Sequence, residues 1–157
     1  MDKGSIYIGA ILIALCIIPL IYFWWSRKKK ENLIKERISQ YAKEHNCELT
    51  KIDITANMAI GIDESKKHVF FYKKEKDKEI NQFVDLSTVL SCIVDKSIYS
   101  AASSIVDSLE LKFYYKVKTT NPTIFKFFNR DSNSQLSDEL LLINEWQAYI
   151  SQMLKRK

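Results

Sequence analysis

Hydrophobic residues follow three different rhythms along this chain. From Ile6 to Trp25 there is no rhythm at all, only twenty residues without a charge. As a helix rising about 1.5 Å per residue they span roughly 30 Å, the thickness of a bilayer's hydrocarbon core. Tyr7 near one end and Tyr22, Phe23, Trp24 and Trp25 at the other match interfacial aromatic belts. From Glu31 to Asn46 the period is helical. Ile34, Ile38, Tyr41, Ala42 and His45 share a stripe, with Lys35, Glu36, Arg37, Gln40, Lys43 and Glu44 opposite, and Glu31 and Lys35 form a favourable i,i+4 pair. The stripe predicts packing on the rest of the chain, with a short parallel dimer seam as the alternative.

Beyond Glu48 the period falls to two. KIDIT (51–55), MAIGID (58–63), HVFFYKK (68–74), INQFVDL (80–86), VLSCIVD (89–95), LELKFYYKVK (109–118) and IFKFF (124–128) predict seven short strands. In the sixth, Leu109, Leu111, Phe113, Tyr115 and Val117 alternate with Glu110, Lys112, Tyr114, Lys116 and Lys118. DKSIYSAASS (95–104) predicts a loop, being rich in small and hydroxyl residues. A closing helix is expected from Leu136 to Lys155, its buried stripe Leu136, Leu140, Ile143, Trp146, Ile150 and Met153, with Lys155, Arg156 and Lys157 at the negative end of its dipole. Strands with one apolar face each must cover one another as a sandwich or open barrel.

Charge sharpens the picture of the first segment. The chain carries +5, but five of its 24 Lys/Arg and one of its 19 Asp/Glu lie in the first 30 residues, which leaves +1 on residues 31–157. Arg27, Lys28, Lys29 and Lys30 follow the apolar run, and only Lys3 precedes it. A cleaved signal peptide would place its basic residues first and end in a small-residue site, so an uncleaved anchor is the expectation. A lipoprotein signal at Cys16 would need a small residue where Leu15 stands. The positive-inside rule then puts the N-terminus outside and the C-terminal domain in the cytoplasm. The same four cations are candidates for anionic headgroup contact. The expected layout is an extracytoplasmic tail (1–5), a transmembrane helix (6–25), a basic juxtamembrane segment with an amphipathic helix (26–47) and a folded domain (48–157).

Seven strands in succession closed by one amphipathic helix resembles the pleckstrin-homology-like (PH-like) fold: an α+β chain whose antiparallel sandwich or barrel ends in a C-terminal helix. The whole also resembles bacterial single-pass membrane proteins with a small cytoplasmic domain of that kind. The resemblance implies that a Trp of the last helix packs against the sheets, at Trp146. PH domains that bind phosphoinositides set several Lys/Arg around the first hairpin. Here that stretch is Asp63, Glu64, Ser65, Lys66 and Lys67, whose two acids make a poor phosphate cradle.

Candidate chemistry is sparse. His45 and His68 stand without an HExxH motif or a second ligand at metal spacing. Pairing His68 with Cys92 or Ser91 would lack an orienting third group. Cys16, Cys47 and Cys92 have no CxxC spacing, and Cys92 in VLSCIV is expected to be a buried apolar residue. With three glycines in all, no phosphate-cradling loop is available. The sequence therefore argues against an enzyme, a cofactor or a metal, and the +1 balance argues against nucleic acid. It predicts a membrane-anchored binding or scaffold module docking a protein partner. Anionic-lipid sensing is the alternative, and an enzyme of unknown type the third reading. Exposed sheet edges and the outer row Lys112, Tyr114, Lys116 and Lys118 are the candidate partner surface.

Overall fold

The computed structural model describes residues 3–55, 57–100, 103–117, 119–131, 136 and 138–156, without the side chains of 3–10, 99, 100, 103 and 104. The order is α1 (Lys3–Glu44), β1 (Lys51–Ile54), β2 (Met58–Asp63), β3 (His68–Glu75), β4 (Lys78–Asp85), β5 (Val89–Ser100), β6 (Ser103–Tyr115), β7 (Thr123–Asn129) and α2 (Glu139–Lys155). The chain divides into two compact units, residues 1–33 and 34–157.

The first unit is helix throughout its described residues, with Pro19 inside it. No break occurs near Ser26. From Ile11 to Trp25 the large apolar side chains lie exposed, Leu20 at 69% and Trp25 at 72%. The helix from Ile11 to Glu44 is long enough, and over its most apolar 18-residue window apolar enough, to cross a membrane, and none of that window is buried within the protein.

The second unit opens with the last turns of α1. Ile34, Ile38 and Ala42 are buried, so the stripe does pack on the domain. The helix ends by a backbone device. Asn46 takes a positive φ of 57°, its N–H bonds the Lys43 carbonyl at 2.9 Å, and the Cys47 N–H bonds the Ala42 carbonyl at 2.9 Å. This pairing closes the last turn as a Schellman motif, and asparagine is among the few residues that enter the left-handed region at low cost.

Seven antiparallel strands follow in two sheets, ordered β1-β2-β3-β4 and β5-β6-β7. The main core lies between them. Ile60, Ile62, Val69 and Phe71 from the first sheet meet Leu109, Leu111, Phe113, Phe125 and Phe127 from the second. Phe71 stacks on Phe125 at 4.9 Å between centroids, and Phe113 meets Phe125 edge-on at 4.8 Å. In β7 the register slips opposite the Leu109–Glu110 step, and this bulge lets the consecutive Phe127 and Phe128 both be buried. From α2, Ile143, Trp146 and Ile150 enter the same core at 0% exposure.

Three expectations are corrected. The strands of the first sheet are not all one-sided: every residue of β2 is buried. The opposite face of that sheet, at Ala59, Phe70 and Tyr72, is covered by Ile34, Ile38 and Ala42 of α1. Continuous apolar runs such as HVFFY are the signature of a strand covered on both faces. Within the expected loop at 95–104, residues 95–100 and 103–104 instead continue β5 and β6, with Ile98 paired to Val106 and Ser100 to Ser103; residues 101 and 102 lie outside the described ones. Hydroxyl residues there were outweighed by the ladder that the flanking β-branched residues sustain. Finally, α2 begins at Glu139 instead of Leu136; Leu136 still packs on the core from outside the helix.

Candidate functional site

The basic segment lies wholly within α1. Successive residues of a helix turn by about 100°, so Arg27 to Lys30 form a collar around it and not a single face. Arg27 Nε lies 3.7 Å from Glu31 Oε1, and Lys28 Nζ sits 4.9 Å from the Trp24 ring centre. Glu31 thus pairs back to Arg27; Lys35 is left without an ion pair among the described residues. Lys28, Lys29 and Lys30 are exposed.

β6 ends at Tyr115, short of the strand expected to reach 118, so of the expected outer row Lys112 and Tyr114 lie in β6 and Lys116 follows its end; the row is only partly free. Lys112 Nζ lies 2.5 Å from Asp95 Oδ2 and 3.5 Å from Glu110 Oε2. Its hydrogen bond to Asp95 holds the ammonium pKa above the ordinary lysine range. Lys116 donates its side-chain amine to the Ser87 carbonyl, so this cation too is engaged within the fold. Tyr114 is 40% exposed. Lys118 lies outside the described residues.

The β2–β3 turn is held rigidly. Asp63 is 2% exposed, and its carboxylate accepts from the Glu48 N–H at 3.0 Å, the Ser65 hydroxyl at 2.6 Å and the Lys66 N–H at 3.0 Å. Burial alone would raise its pKa; the Ser65 hydroxyl and the backbone N–H groups of Lys66, Glu48 and Ser65 outweigh it and bring the carboxyl down to about 2. Tyr149 of α2 donates to Glu64, and Lys66 donates to the Asn46 carbonyl. Asp63, Glu64 and Lys66 of the turn thus fasten it to the helix–strand linker and to α2.

The imagined nucleophile pair does not meet. His68 sits with Phe70 and Phe83, on the face of the first sheet turned away from the core, and its Nδ1–H donates to the Lys66 carbonyl oxygen at 2.8 Å. Cys92 points into the core at 4% exposure, where burial pushes its thiol up to about 12. Among the described residues no three His, Cys, Asp or Glu side chains converge to hold a metal ion.

Trp146 lies where the resemblance put it. Its ring is fully buried, its Nε1–H donates to Asp53 Oδ2 at 2.9 Å, and Lys51 Nζ lies 5.1 Å above it and 4.7 Å from the Tyr149 ring. Lys51 and Asp53 therefore fasten β1 to α2 on the core side. Strand alternation turns Ile52 and Ile54 the other way.

There they border a groove of about 610 Å³ between α1 and β1. Lys35, Ser39 and Lys43 form its helical wall; Leu49, Ile52 and Ile54 form its apolar side. Among the described residues β1 is an edge strand, paired with β2 alone. The Thr55 N–H bonds the Met58 carbonyl, and in the same ladder Asp53 lies opposite Ile60. Antiparallel alternation therefore turns the N–H and C=O groups of Ile52 and Ile54 toward the open side. Sequence reasoning pointed to sheet edges in general but missed this one. Its signal was present: Lys35, Ser39 and Lys43 recur every four residues, a second stripe beside the apolar one.

No family model, curated relative or solved structure matches the chain.

Proposed function

We propose that this protein is a membrane-anchored, non-catalytic docking module: a PH-like domain displayed at the cytoplasmic face by an uncleaved N-terminal helix, to hold a protein partner near the bilayer. The carrying observation is the uncharged run Ile6–Trp25, whose described side chains, from Ile11 onward, are all exposed. So large an unbroken apolar surface needs a cover that the chain does not supply, and a bilayer is the cover that fits its length. The Arg27–Lys30 collar favours the cytoplasmic side and contact with anionic headgroups, each cation worth about 1 kcal/mol near the surface. The PH-like reading is supported by the four-plus-three antiparallel sheet order followed by a helix with a buried Trp. The docking reading is supported by the free β1 edge and its groove.

Fractionation of intact cells tests the anchor. Detergent should release the protein, while high salt and carbonate leave it in the membrane. Protease added outside the cells should spare the domain. A mature chain that begins after Trp25, or digestion of the domain from outside, overturns the proposal. Liposomes separate docking from lipid sensing: residues 31–157 that bind anionic vesicles without a partner would favour the second.

A further inference from the structure

We infer that the groove between α1 and β1 receives an extended segment of a partner protein, added as a fifth strand alongside β1, with an acidic–x–apolar–x–acidic pattern. The inference rests on the docking reading and names its surface and the chemistry of its occupant.

The geometry sets the pattern. The first sheet ends at β1, whose Ile52 and Ile54 backbone groups face no strand among the described residues. Groups of that kind are a template for strand addition. A strand laid there turns alternate side chains toward the groove, as Ile52 and Ile54 are turned. From Lys35 to Lys43 the helix rises about 12 Å. Five consecutive strand residues span about 13 Å, so their first, third and fifth side chains match Lys35, Ser39 and Lys43 in turn. The middle one lies against Ile52, Ile54 and Leu49 and should be apolar.

Charge settles the outer two. Among the described residues neither Lys35 nor Lys43 makes an ion pair, in contrast to Lys112 and Lys73, each beside a carboxylate. Glu48, at one end of the groove, is the single acid in its lining. Two free cations 12 Å apart on one wall, by that helical rise, select carboxylates at the same separation. A second copy of this chain would fit poorly. Its own β1, KIDI, carries a Lys and turns only isoleucines toward the groove, and self-pairing would bring two sets of Lys35 and Lys43 together.

The test uses the full chain in nanodiscs of zwitterionic lipid and a fluorescent peptide, acetyl-Ser-Glu-Thr-Leu-Thr-Glu-Ser-amide, read by anisotropy. Binding should slow amide hydrogen exchange at Ile52 and Ile54. The peptide with both Glu replaced by Lys should bind about tenfold more weakly, the order expected of two surface charge pairs. The doubly substituted chain Lys35→Glu/Lys43→Glu should reverse that preference. Ile52→Pro, which deletes an outward N–H at a position where an edge strand tolerates proline, should abolish binding. The reversal keeps the test decisive should the proline variant misfold. Equal binding of acidic and basic peptides, or no change on charge reversal, overturns the inference. So does dimerisation of the chain that Ile52→Pro abolishes, which would make a second copy the occupant. Partner co-purification from solubilised membranes separates the two levels. A partner retained equally by the Lys35→Glu/Lys43→Glu chain leaves the docking reading standing and removes the groove; no partner with either chain removes the docking reading itself.

Discussion

Asp63 offers the most quantitative prediction. Its carboxylate is 2% exposed and accepts three hydrogen bonds that tie the β2–β3 turn to itself and to the linker at Glu48. With a folded pKa of about 2 against about 3.9 in the unfolded chain, the ionised form favours folding by roughly 2.5 kcal/mol at neutral pH. The pKa is depressed by folding, so this contribution is fully present well above pH 4 and is lost as pH falls toward the folded value. Linkage places about half of it gone by pH 3 and nearly all by pH 2. Asp63→Asn keeps the shape but removes the charge, and its amide nitrogen meets a donor, the Glu48 N–H or those of Ser65 and Lys66. The variant should lose about 2–3 kcal/mol at pH 7.

The assay is urea unfolding of the full chain in an acid-stable nonionic detergent. Trp146 fluorescence reports on the domain in a Trp24→Phe/Trp25→Phe background, since the chain has three tryptophans. All other carboxylates titrate in both proteins, so the gap between the two stability curves isolates Asp63. That gap should be constant from pH 7 to about 5 and close between about pH 4 and 2. A gap that stays the same across that range, or none at pH 7, refutes the assignment of this stabilisation to an ionised, hydrogen-bonded Asp63.

Four further outcomes follow from packing and pairing. Ile38→Ala empties a fully buried position on the α1 stripe and should cost about 2–4 kcal/mol in the same unfolding assay. Trp146→Phe removes the Nε1–Asp53 hydrogen bond and part of a fully buried ring; a loss of about 1–3 kcal/mol is expected by calorimetry. Lys73 is fully buried, its Nζ 2.6 Å from Glu75 Oε1 though poorly aligned for a hydrogen bond. Because desolvation of a buried ion pair offsets its attraction, Lys73→Met should be neutral or raise stability by up to about 2 kcal/mol, and a clear loss would contradict this. Cys47 and Cys92 are buried, with thiol pKa values raised chiefly by burial; iodoacetamide at pH 8 should label them in urea but not in the native protein, as read by mass spectrometry.

What the sequence revealed, and what it hid, divides along physical lines. All seven strands and both helical periods were legible because burial on one face writes a period of two or 3.6 into the residue types. The double burial of β2 was harder to see. MAIGID alternates large and small apolar residues, and the small ones, Ala59 and Gly61, are the ones turned toward α1 and its linker. A Cβ at Gly61 would stand 3.0 Å from Leu49 Cδ1, so the position is small because the neighbour is close. No period announces that. The candidate partner row at Lys112–Lys118 was legible as lysines, but the carboxylate neighbour of Lys112, Asp95, comes from β5 across the sheet. Pairing of that sort is set by register, which local pattern does not give. The β1 groove was hidden for the same reason, since its two walls are adjacent only once α1 has turned at Asn46.

Burial also narrows where the proposed partner could bind. The inner face of the first sheet belongs to the core, and Ala59, Phe70 and Tyr72 on its other face are covered by α1. On the second sheet, Lys112 and Lys116 are engaged internally. The β1 edge combines open backbone groups, an apolar floor and, in Lys35 and Lys43, cations without an ion pair among the described residues. Such a contact is small. A strand of four residues with two exposed charge pairs offers little beyond about 1–2 kcal/mol of electrostatics and a few hydrogen bonds, set against the cost of ordering the incoming segment. In free solution it would be weak. On a membrane the same contact becomes effectively intramolecular once both proteins share the surface, with effective concentrations that can reach the millimolar range. The proposed anchor and the proposed edge thus need each other: a weak, selective strand contact gains occupancy from confinement, and it should lose most of that occupancy when the Ile6–Trp25 segment is removed and the partner is left on the membrane.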